Sequence, residues 1–225
     1  MNLNLIRVSP ARRAVTEAAQ PVVYVVDGDP TGHEALEARL RSAGYQPCIV
    51  ASAEEFLAQP RCKSASCLLV EKHLPGISGL ELQAYVRYRT ELPIIFISSE
   101  TDVEATVQAM KAGAMEFFTK PVPGDVLMHA IVQAIKCSHA ALHHQSEMQA
   151  LQQRYESLSR REREVMNLVV TGRLNKQVGG ALGISEITVK AHRGKMMRKM
   201  QAHSLAELVN MATSLHGDDL PAFSS

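Results

Sequence analysis

The segment VVYVVDGDP, residues 22–30, decides the fold. Val22–Val26 form an uninterrupted apolar run, mostly β-branched, that leads into the acidic residues Asp27 and Asp29. Such a run without polar alternation is typical of a strand buried on both faces within a parallel sheet. Acidic side chains at its carboxyl end would lie where open α/β sheets bind their ligands. We therefore expect an α/β fold with a site at this edge.

The alternation of strand and helix continues from this segment. The helix HEALEARLRSAG (33–44) has apolar residues at helical spacing and a stop signal at Gly44. The elements predicted next are the strand PCIV (47–50), the helix AEEFLAQ (53–59), the strand CLLVE (67–71), the helix GLELQAYVRYR (79–89), the strand PIIFISS (93–99), the helix VEATVQAMKAGA (103–114), the strand MEFFTK (115–120) and a helix from Gly124. Five strands interleaved with five helices predict a doubly wound (βα)5 sheet of the flavodoxin type.

The helix that starts at Gly124 is predicted to continue far beyond the sheet, because residues 126–158 contain no Pro or Gly. A weak heptad seam along it favours a linker helix and a homodimer; its members are Leu127, Ile131, Ala134, Ser138, Ala141, Gln145 and Met148. His139 and His143 have the i,i+4 spacing of a metal pair. With no nearby Cys or carboxylate to complete a site, solvated histidines are the favoured interpretation.

The remainder of the chain is predicted to be a small helical domain. RREREVMNLVVTG (160–172) is a helix that stops at Gly172, and Asn175 is expected to cap a short helix that ends at Leu182. After a turn at Gly183, Ser185 is expected to cap the helix 186–200, and SLAELVNMATSL (204–215) is a fourth helix. Two helices joined by a Gly-containing turn suggest a helix-turn-helix, although ordinary helical hairpins share this pattern.

Charge separates the two halves of the chain. Residues 1–150 carry 13 Lys/Arg against 16 Asp/Glu, whereas residues 151–225 carry 11 against 7. In the helix 186–200, Val189, Met196 and Met200 share one stripe, and five Lys/Arg against one Glu leave the opposite side basic. Such a helix suits a nucleic-acid groove. The alternative is a solvated basic face.

Bulk properties exclude several classes. The 225 residues, 46% hydrophobic and 21% charged, are ordinary globular composition. The four cysteines show no metal spacing, so reduced thiols are expected, with a redox role for Cys62 or Cys67 as the alternative. No secretory leader or 18-residue apolar stretch is visible, which favours a cytoplasmic protein without membrane contact. A hydrolase is the weakest option, because no nucleophile–base pair accompanies the acidic residues, and we do not expect an enzyme.

These patterns resemble two known modules. Residues 158–209 resemble a LuxR-type DNA-binding domain in the motifs EREV, G-x-x-NK, LGIS, TVK and H-R and in a late Lys, and residues 22–137 resemble a response-regulator receiver of the CheY-like type. Their order is similar to the NarL/FixJ subfamily, especially its FixJ-like branch. The expected domains are an N-terminal extension (1–20), the receiver (21–137), the linker helix (138–157) and the helix-turn-helix domain (158–225).

The resemblance implies roles for named residues of the basic helix and its neighbour. Lys190, with Ala191 and Gly194 beside it, would face bases, and Lys176, Thr188, Arg193 and Lys199 would meet phosphates. Lys195 and Arg198 belong to the same basic face. Gly179, Gly180 and Gly194 depart from the family pattern, and each costs helix stability of about 0.5–1 kcal/mol relative to Ala.

The resemblance also assigns the pocket of the receiver. Its nucleophilic Asp corresponds to Glu71, its metal-binding acid pair to Asp27 and Gly28, and its switch residues to Ser98, Lys120 and Phe117; Asp29 is displaced by one residue. Phosphoryl transfer needs in-line positioning and charge neutralisation by a metal, and a misplaced group can cost about 100-fold in rate. We therefore expect no phosphorylation of residue 71, and we expect Mg²⁺ binding to be lost and no other cofactor.

Two hypotheses for Glu71 remain open: it imitates the phosphorylated residue, or it is a bystander paired with Lys120. The expected partner of the whole chain is double-stranded promoter DNA, bound as a homodimer, with RNA polymerase as a further possible partner. One alternative is a protein-interaction module with vestigial DNA contact. The other is an ordinary two-component regulator still controlled by a histidine kinase.

Overall fold

The computed structural model describes residues 20–100 and 102–216. The chain divides into two compact units, with the division between Leu142 and His143. The predicted extension lies outside the described residues except for Gln20, and so do residues 217–225.

The first unit is the predicted (βα)5 sheet. Five parallel strands stand in the order β2-β1-β3-β4-β5. The strands are β1 (Val22–Val26), β2 (Gln46–Val50), β3 (Ser66–Glu71), β4 (Ile94–Ser98) and β5 (Glu116–Thr119). The helices are α1 (His33–Ser42), α2 (Ala53–Ala58), α3 (Gly79–Val86), α4 (Val103–Lys111) and α5 (Gly124–Glu156). The doubly wound α/β prediction is confirmed, with helix and strand ends that differ by up to three residues.

Strand β1 explains why the apolar run decides the fold. Val22, Tyr24 and Val26 belong to one buried cluster, and Val23 and Val25 belong to the cluster on the other face of the sheet. All five residues are buried because layers cover both faces. Parallel strands buried on both faces have no need of polar alternation.

The heptad seam of α5 has a different cause from the predicted one. Leu127, Ile131 and Ala134 are buried in the core of their own sheet. Ser138 is also buried, where its Oγ accepts a hydrogen bond from the Ser66 N–H at 2.9 Å and donates one to the Glu91 carbonyl at 2.5 Å. These four positions therefore present no seam to a second chain, and the interpretation of this part as a dimerisation stripe is wrong.

Up to residue 216, where the described part of the second unit ends, this unit contains the end of α5 and four further helices. They are α6 (Arg160–Val169), α7 (Asn175–Leu182), α8 (Glu186–Met200) and α9 (Leu205–His216), which confirms the four-helix prediction. Leu151 of α5 and Leu158 join their core. The predicted Asn175 cap is wrong, because α7 begins at Asn175 and the preceding Leu174 N–H donates to Gln177 Oε1 at 2.8 Å.

Candidate functional site

The acidic pocket of the first unit forms at the carboxyl ends of β1, β3 and β5, where the parallel topology brings distant residues together. The Lys120 ammonium lies 2.7 Å from Asp27 Oδ2 and 2.8 Å from Glu71 Oε2. Both carboxylates are largely buried, with side-chain exposures of 14% and 6%. The contact with Asp27 is a hydrogen bond, whereas that with Glu71 is an ion pair without hydrogen-bond geometry.

The two carboxylates favour the charged form of Lys120. Desolvation lowers the pKa of its ammonium, but the hydrogen bond to Asp27 and the nearby charges of Asp27 and Glu71 more than offset this effect. The net result is a pKa above the ordinary value for lysine. Lys120 is therefore a fixed cation between two acids.

Two further predicted residues of the acidic pocket, Ser98 and Phe117, contact residues other than Glu71. Ser98 is fully buried, and its hydroxyl accepts a hydrogen bond from the Glu100 N–H at 3.2 Å. Phe117 is half-buried and stacks on Phe96, with ring centroids 5.7 Å apart and an interplanar angle of 16°. Neither residue makes a hydrogen bond to the Glu71 carboxylate.

The β1–α1 loop contains the altered acid pair. Gly28 is exposed and carries no side chain, and a Cβ built there would lie 3.5 Å from the Ala51 carbonyl oxygen. Asp29 is also exposed; hydrogen bonds from the hydroxyl and backbone N–H of Thr31 hold its pKa below the ordinary value. The loop thus leaves Asp27 as its buried acid.

These residues do not fit Mg²⁺. The ion prefers octahedral coordination by oxygen atoms, including one or two carboxylates. Here the Asp27 and Glu71 carboxylates already contact an ammonium group. Nor do residues 20–100 and 102–216 contain any group of three His, Cys, Asp or Glu side chains suited to a metal ion. His143, of the predicted solvated pair, lies beside Glu147 at 3.3 Å.

Sequence reasoning missed a second cation beside this pocket. Lys72 follows Glu71, yet its side chain is only 5% exposed. Its ammonium lies 3.1 Å from Asp102 Oδ2 and 3.7 Å from Glu100 Oε2. Asp102 is also the N-cap of α4, since it accepts the Ala105 N–H. Lys72 therefore ties the end of β3 to the first turn of α4.

In the second unit, α8 presents the predicted basic face. Ser185 caps this helix by accepting the Thr188 N–H at 3.2 Å, as predicted. Val189, Met196 and Met200 are fully buried in the core. The exposed residues of this helix include Ile187, Lys190, Ala191, Gly194, Lys195 and Arg198. The helix therefore packs through one face and leaves a basic face in water.

The predicted DNA-contacting cations differ in their present partners. Lys190 pairs with Glu186 at 3.1 Å, and Arg193 donates to Asn175 Oδ1 at 3.1 Å. Within the described chain, Lys176, Lys195 and Arg198 have no ion pair. These three side chains are exposed.

Lys199 has a structural partner. Its Nζ lies 2.6 Å from Glu162 Oε2 and donates to the Ser157 carbonyl at 3.0 Å. The hydrogen bond from Lys199, reinforced by the Ser159 N–H, lowers the pKa of Glu162 to about 2. Glu162 is 4% exposed and completes a capping box with Ser159 at the start of α6. The ion pair thus joins α6 to α8.

The three unusual glycines differ in their surroundings. A Cβ at Gly179 would lie 2.8 Å from the Ile184 carbonyl oxygen, so this position requires the close approach that glycine permits. A Cβ at Gly180 or Gly194 would meet nothing within 4 Å. Space therefore requires glycine only at position 179.

Comparison with known families places both units. A model for bacterial regulatory proteins of the luxR family matches residues 156–212, and a model for the response regulator receiver domain matches residues 23–132. Nodulation protein W of Bradyrhizobium diazoefficiens is 41% identical over 202 residues, which are 89% of each chain. The chain belongs to the response regulators that carry a LuxR-type DNA-binding domain.

Two more relatives indicate which branch of these response regulators the chain belongs to. Transcriptional regulatory protein FixJ of B. diazoefficiens is 35% identical over 191 residues, 84% of this chain and 93% of FixJ. Response regulator StyR, whose structure is solved, is 39% identical in sequence and superposes with a TM-score of 0.77. The match covers 86% of this chain and 98% of the StyR chain. The chain is therefore a FixJ-like DNA-binding response regulator of the transcription-factor class.

A helix that spans a membrane requires a minimum length and hydropathy. Across residues 20–100 and 102–216, every helix is too short or too polar to span a lipid bilayer.

Proposed function

We propose that this response regulator controls transcription without phosphorylation of residue 71. The observation that carries the proposal is the Lys120 ammonium held between Asp27 and Glu71, at 2.7 and 2.8 Å. In a phosphorylatable receiver, a metal and a lysine neutralise the transferred group. In this acidic pocket the lysine is already neutralised by two carboxylates of the chain.

Two independent substitutions support the same conclusion. Glu71 is longer than Asp by one methylene, which displaces the attacking oxygen, and Gly28 removes a metal-ligating carboxylate. We propose that Mg²⁺ binding is lost with it, and that the chain is not an enzyme and needs no cofactor.

For DNA, we propose that α8 enters the major groove of promoter DNA, with Lys190 near the bases and Lys176 and Arg193 near phosphates. The exposed cations on its free face supply the charge for this contact. We further propose that two copies bind together on DNA, as two half-sites require. RNA polymerase is the expected next partner.

The test compares the native chain with Glu71→Asp combined with Gly28→Asp. A side chain at position 28 meets ordinary contacts of 3.5 Å, so the double variant restores both acids without a clash at Cβ. Each protein is incubated with acetyl phosphate and Mg²⁺ and its intact mass is measured. We expect the double variant to gain the mass of one phosphoryl group and the native chain to remain unchanged.

A native chain that gains this mass at residue 71 would restore the ordinary two-component interpretation, with control by a histidine kinase.

Duplex binding at several salt concentrations tests the proposal that α8 binds DNA. Failure to bind any duplex of its own genome at low salt would instead favour a protein-interaction module.

A further inference from the structure

A cavity of about 490 Å³ lies within the receiver unit, between α1 and α5. Its floor is apolar and consists of side chains near the carboxyl ends of β1, β3 and β4, among them Val25, Leu69 and Ile97. Leu36 of α1 and Leu127 of α5 line its walls. A volume of this size, with apolar walls and a few polar groups, is typical of small-molecule sites.

Arg39 supplies a cation that the rest of the described chain leaves unpaired. It lies on α1, where the neighbouring Arg41 is instead bound to Glu37. The Arg39 guanidinium lies against the backbone of Gly124, because a Cβ built at that glycine would overlap its Nη1. Gly124 thus makes room for the guanidinium at the first residue of α5.

Two more features of the cavity favour a negatively charged group near Arg39. His33 lines the cavity, and its Nε2 is buried without a hydrogen-bond partner among the described residues. Helix α5 begins at Gly124, so the positive end of its dipole lies at the same side.

The acids at the other end of the cavity do not cancel this preference. Three acids of the described chain line it: Asp27 and Glu71 contact Lys120 at 2.7 and 2.8 Å, and Asp29 accepts a hydrogen bond from the Thr31 N–H at 2.9 Å. Of the cations that line the cavity, Arg39 is therefore the one that has no ion pair among the described residues, and an arginine fork is well suited to a carboxylate.

We propose that the α1–α5 cavity binds a small organic molecule with an apolar body and one carboxylate. The apolar body would cover the Val25 and Leu69 floor, and the carboxylate would accept hydrogen bonds from Arg39. This inference goes beyond the proposed function and does not depend on it, because binding can be measured whether or not residue 71 is phosphorylated.

Octanoate is the probe, and octan-1-ol is its neutral counterpart of equal chain length. Titration of the full chain is followed by calorimetry and by ¹H–¹⁵N spectra. We expect octanoate to bind about tenfold more tightly than octan-1-ol, because a hydrogen bond to a charged group is lost with the alcohol. The shifted signals should come from α1, the start of α5 and the ends of β1 and β3.

Variants separate the cavity from nonspecific binding. Arg39→Met should remove the preference for octanoate, whereas Arg41→Met on the same helix should retain it. Gly124→Ala should also weaken octanoate binding, because its methyl group displaces the Arg39 guanidinium. The proposal fails if octanoate does not bind at millimolar concentration, if Arg39→Met binds both probes like the native chain, or if the shifts map to another surface.

Discussion

Lys199 on α8 is bound to Glu162 on α6 across 2.6 Å, so a cation expected to meet a DNA phosphate is part of the packing of its own domain. Its side chain is still 40% exposed, whereas that of Glu162 is 5% exposed. The pair therefore orients α8, whatever contact Lys199 makes with DNA.

Glu162→Gln should destabilise the helix-turn-helix unit by about 1–2 kcal/mol at neutral pH, because it removes the charge from this hydrogen bond. The folded pKa of about 2 lies below the ordinary value of 4.5, so the stabilisation is complete above pH 4.5 and is lost as pH falls towards 2. Thermal unfolding of both proteins from pH 7 to pH 2 measures this. The difference should shrink on acidification.

Glu164→Gln is the matched control, since Glu164 lies on the same helix and its ion pairs, with Arg160 and Arg161, lie at the surface. Exposed pairs contribute little, so its unfolding curve should stay close to that of the native protein. If Glu164→Gln destabilised the protein as much as Glu162→Gln, the loss of stability would come from the change in net charge and not from the Lys199–Glu162 pair.

The free cations of α8 should contribute to DNA binding in a different way from Lys199. Lys195→Met and Arg198→Met should each lower the slope of log affinity against log salt by about one unit, as loss of one phosphate contact requires. Lys199→Met, in contrast, should lower the unfolding temperature, because Lys199 is paired with Glu162. Fluorescence anisotropy with a duplex at several salt concentrations gives the slopes.

Arg160→Met is the control for these cationic variants, because Arg160 is 92% exposed and lies on α6 rather than on α8. Its slope should equal that of the native chain. Equal slopes for all four variants would contradict DNA contact by the exposed face of α8.

Glycine replacements test how soft the helix-turn-helix unit is. Gly180→Ala and Gly194→Ala should each stabilise the unit by about 0.5–1 kcal/mol, since both positions are helical and open. Gly179→Ala should destabilise it, because its Cβ would lie 2.8 Å from the Ile184 carbonyl oxygen. Urea unfolding of the full chain measures all three, and a stabilised Gly179→Ala would show that the α7–α8 turn can move apart.

The Lys72–Asp102 ion pair gives a non-additive prediction. Asp102→Asn keeps the N-cap of α4 but removes the charge that faces the buried ammonium. It should lower the receiver's unfolding temperature in the native background and have little effect in a Lys72→Met background. Equal effects in both backgrounds would show that the pair contributes nothing beyond capping.

Glu71→Ala distinguishes the two hypotheses for the acidic pocket. If Glu71 imitates the phosphorylated residue, loss of its carboxylate should weaken duplex affinity by about tenfold, within the usual range of coupling between sites. Unchanged affinity and unchanged oligomeric state, measured by anisotropy and light scattering, would favour the bystander. Glu104→Ala, at an exposed carboxylate on α4, serves as the control.

Much of this architecture could be predicted from residue patterns. The apolar run 22–26, the repeated strand–helix alternation and the Ser185 cap each reflect local chemistry, and each appears where expected. The strand ends also brought Asp27, Glu71 and Lys120 together because parallel topology leaves little freedom. Ser98 was expected at the same edge for the same reason, whereas the assignment of Phe117 to this pocket came from family resemblance alone.

What the sequence concealed depends on contacts between distant residues. A lysine after a strand reads as solvated, and only the position of Asp102 shows why Lys72 can be buried. Asn175 has the side chain of a cap, yet its Oδ1 accepts from Arg193, eighteen residues away. The α5 seam looked like a partner surface because a helix packed on its own sheet shows the same spacing.

Ser138 has a practical consequence for anyone who isolates the receiver. A fragment that ends at residue 137 deletes the hydroxyl that accepts the Ser66 N–H and donates to the Glu91 carbonyl, and it leaves that amide, at the entrance of β3, without its acceptor. A fragment that ends at Leu142, the end of the first unit, retains both hydrogen bonds. A receiver fragment should therefore end after Leu142 if it is to keep the Ser138 hydrogen bonds at the start of β3.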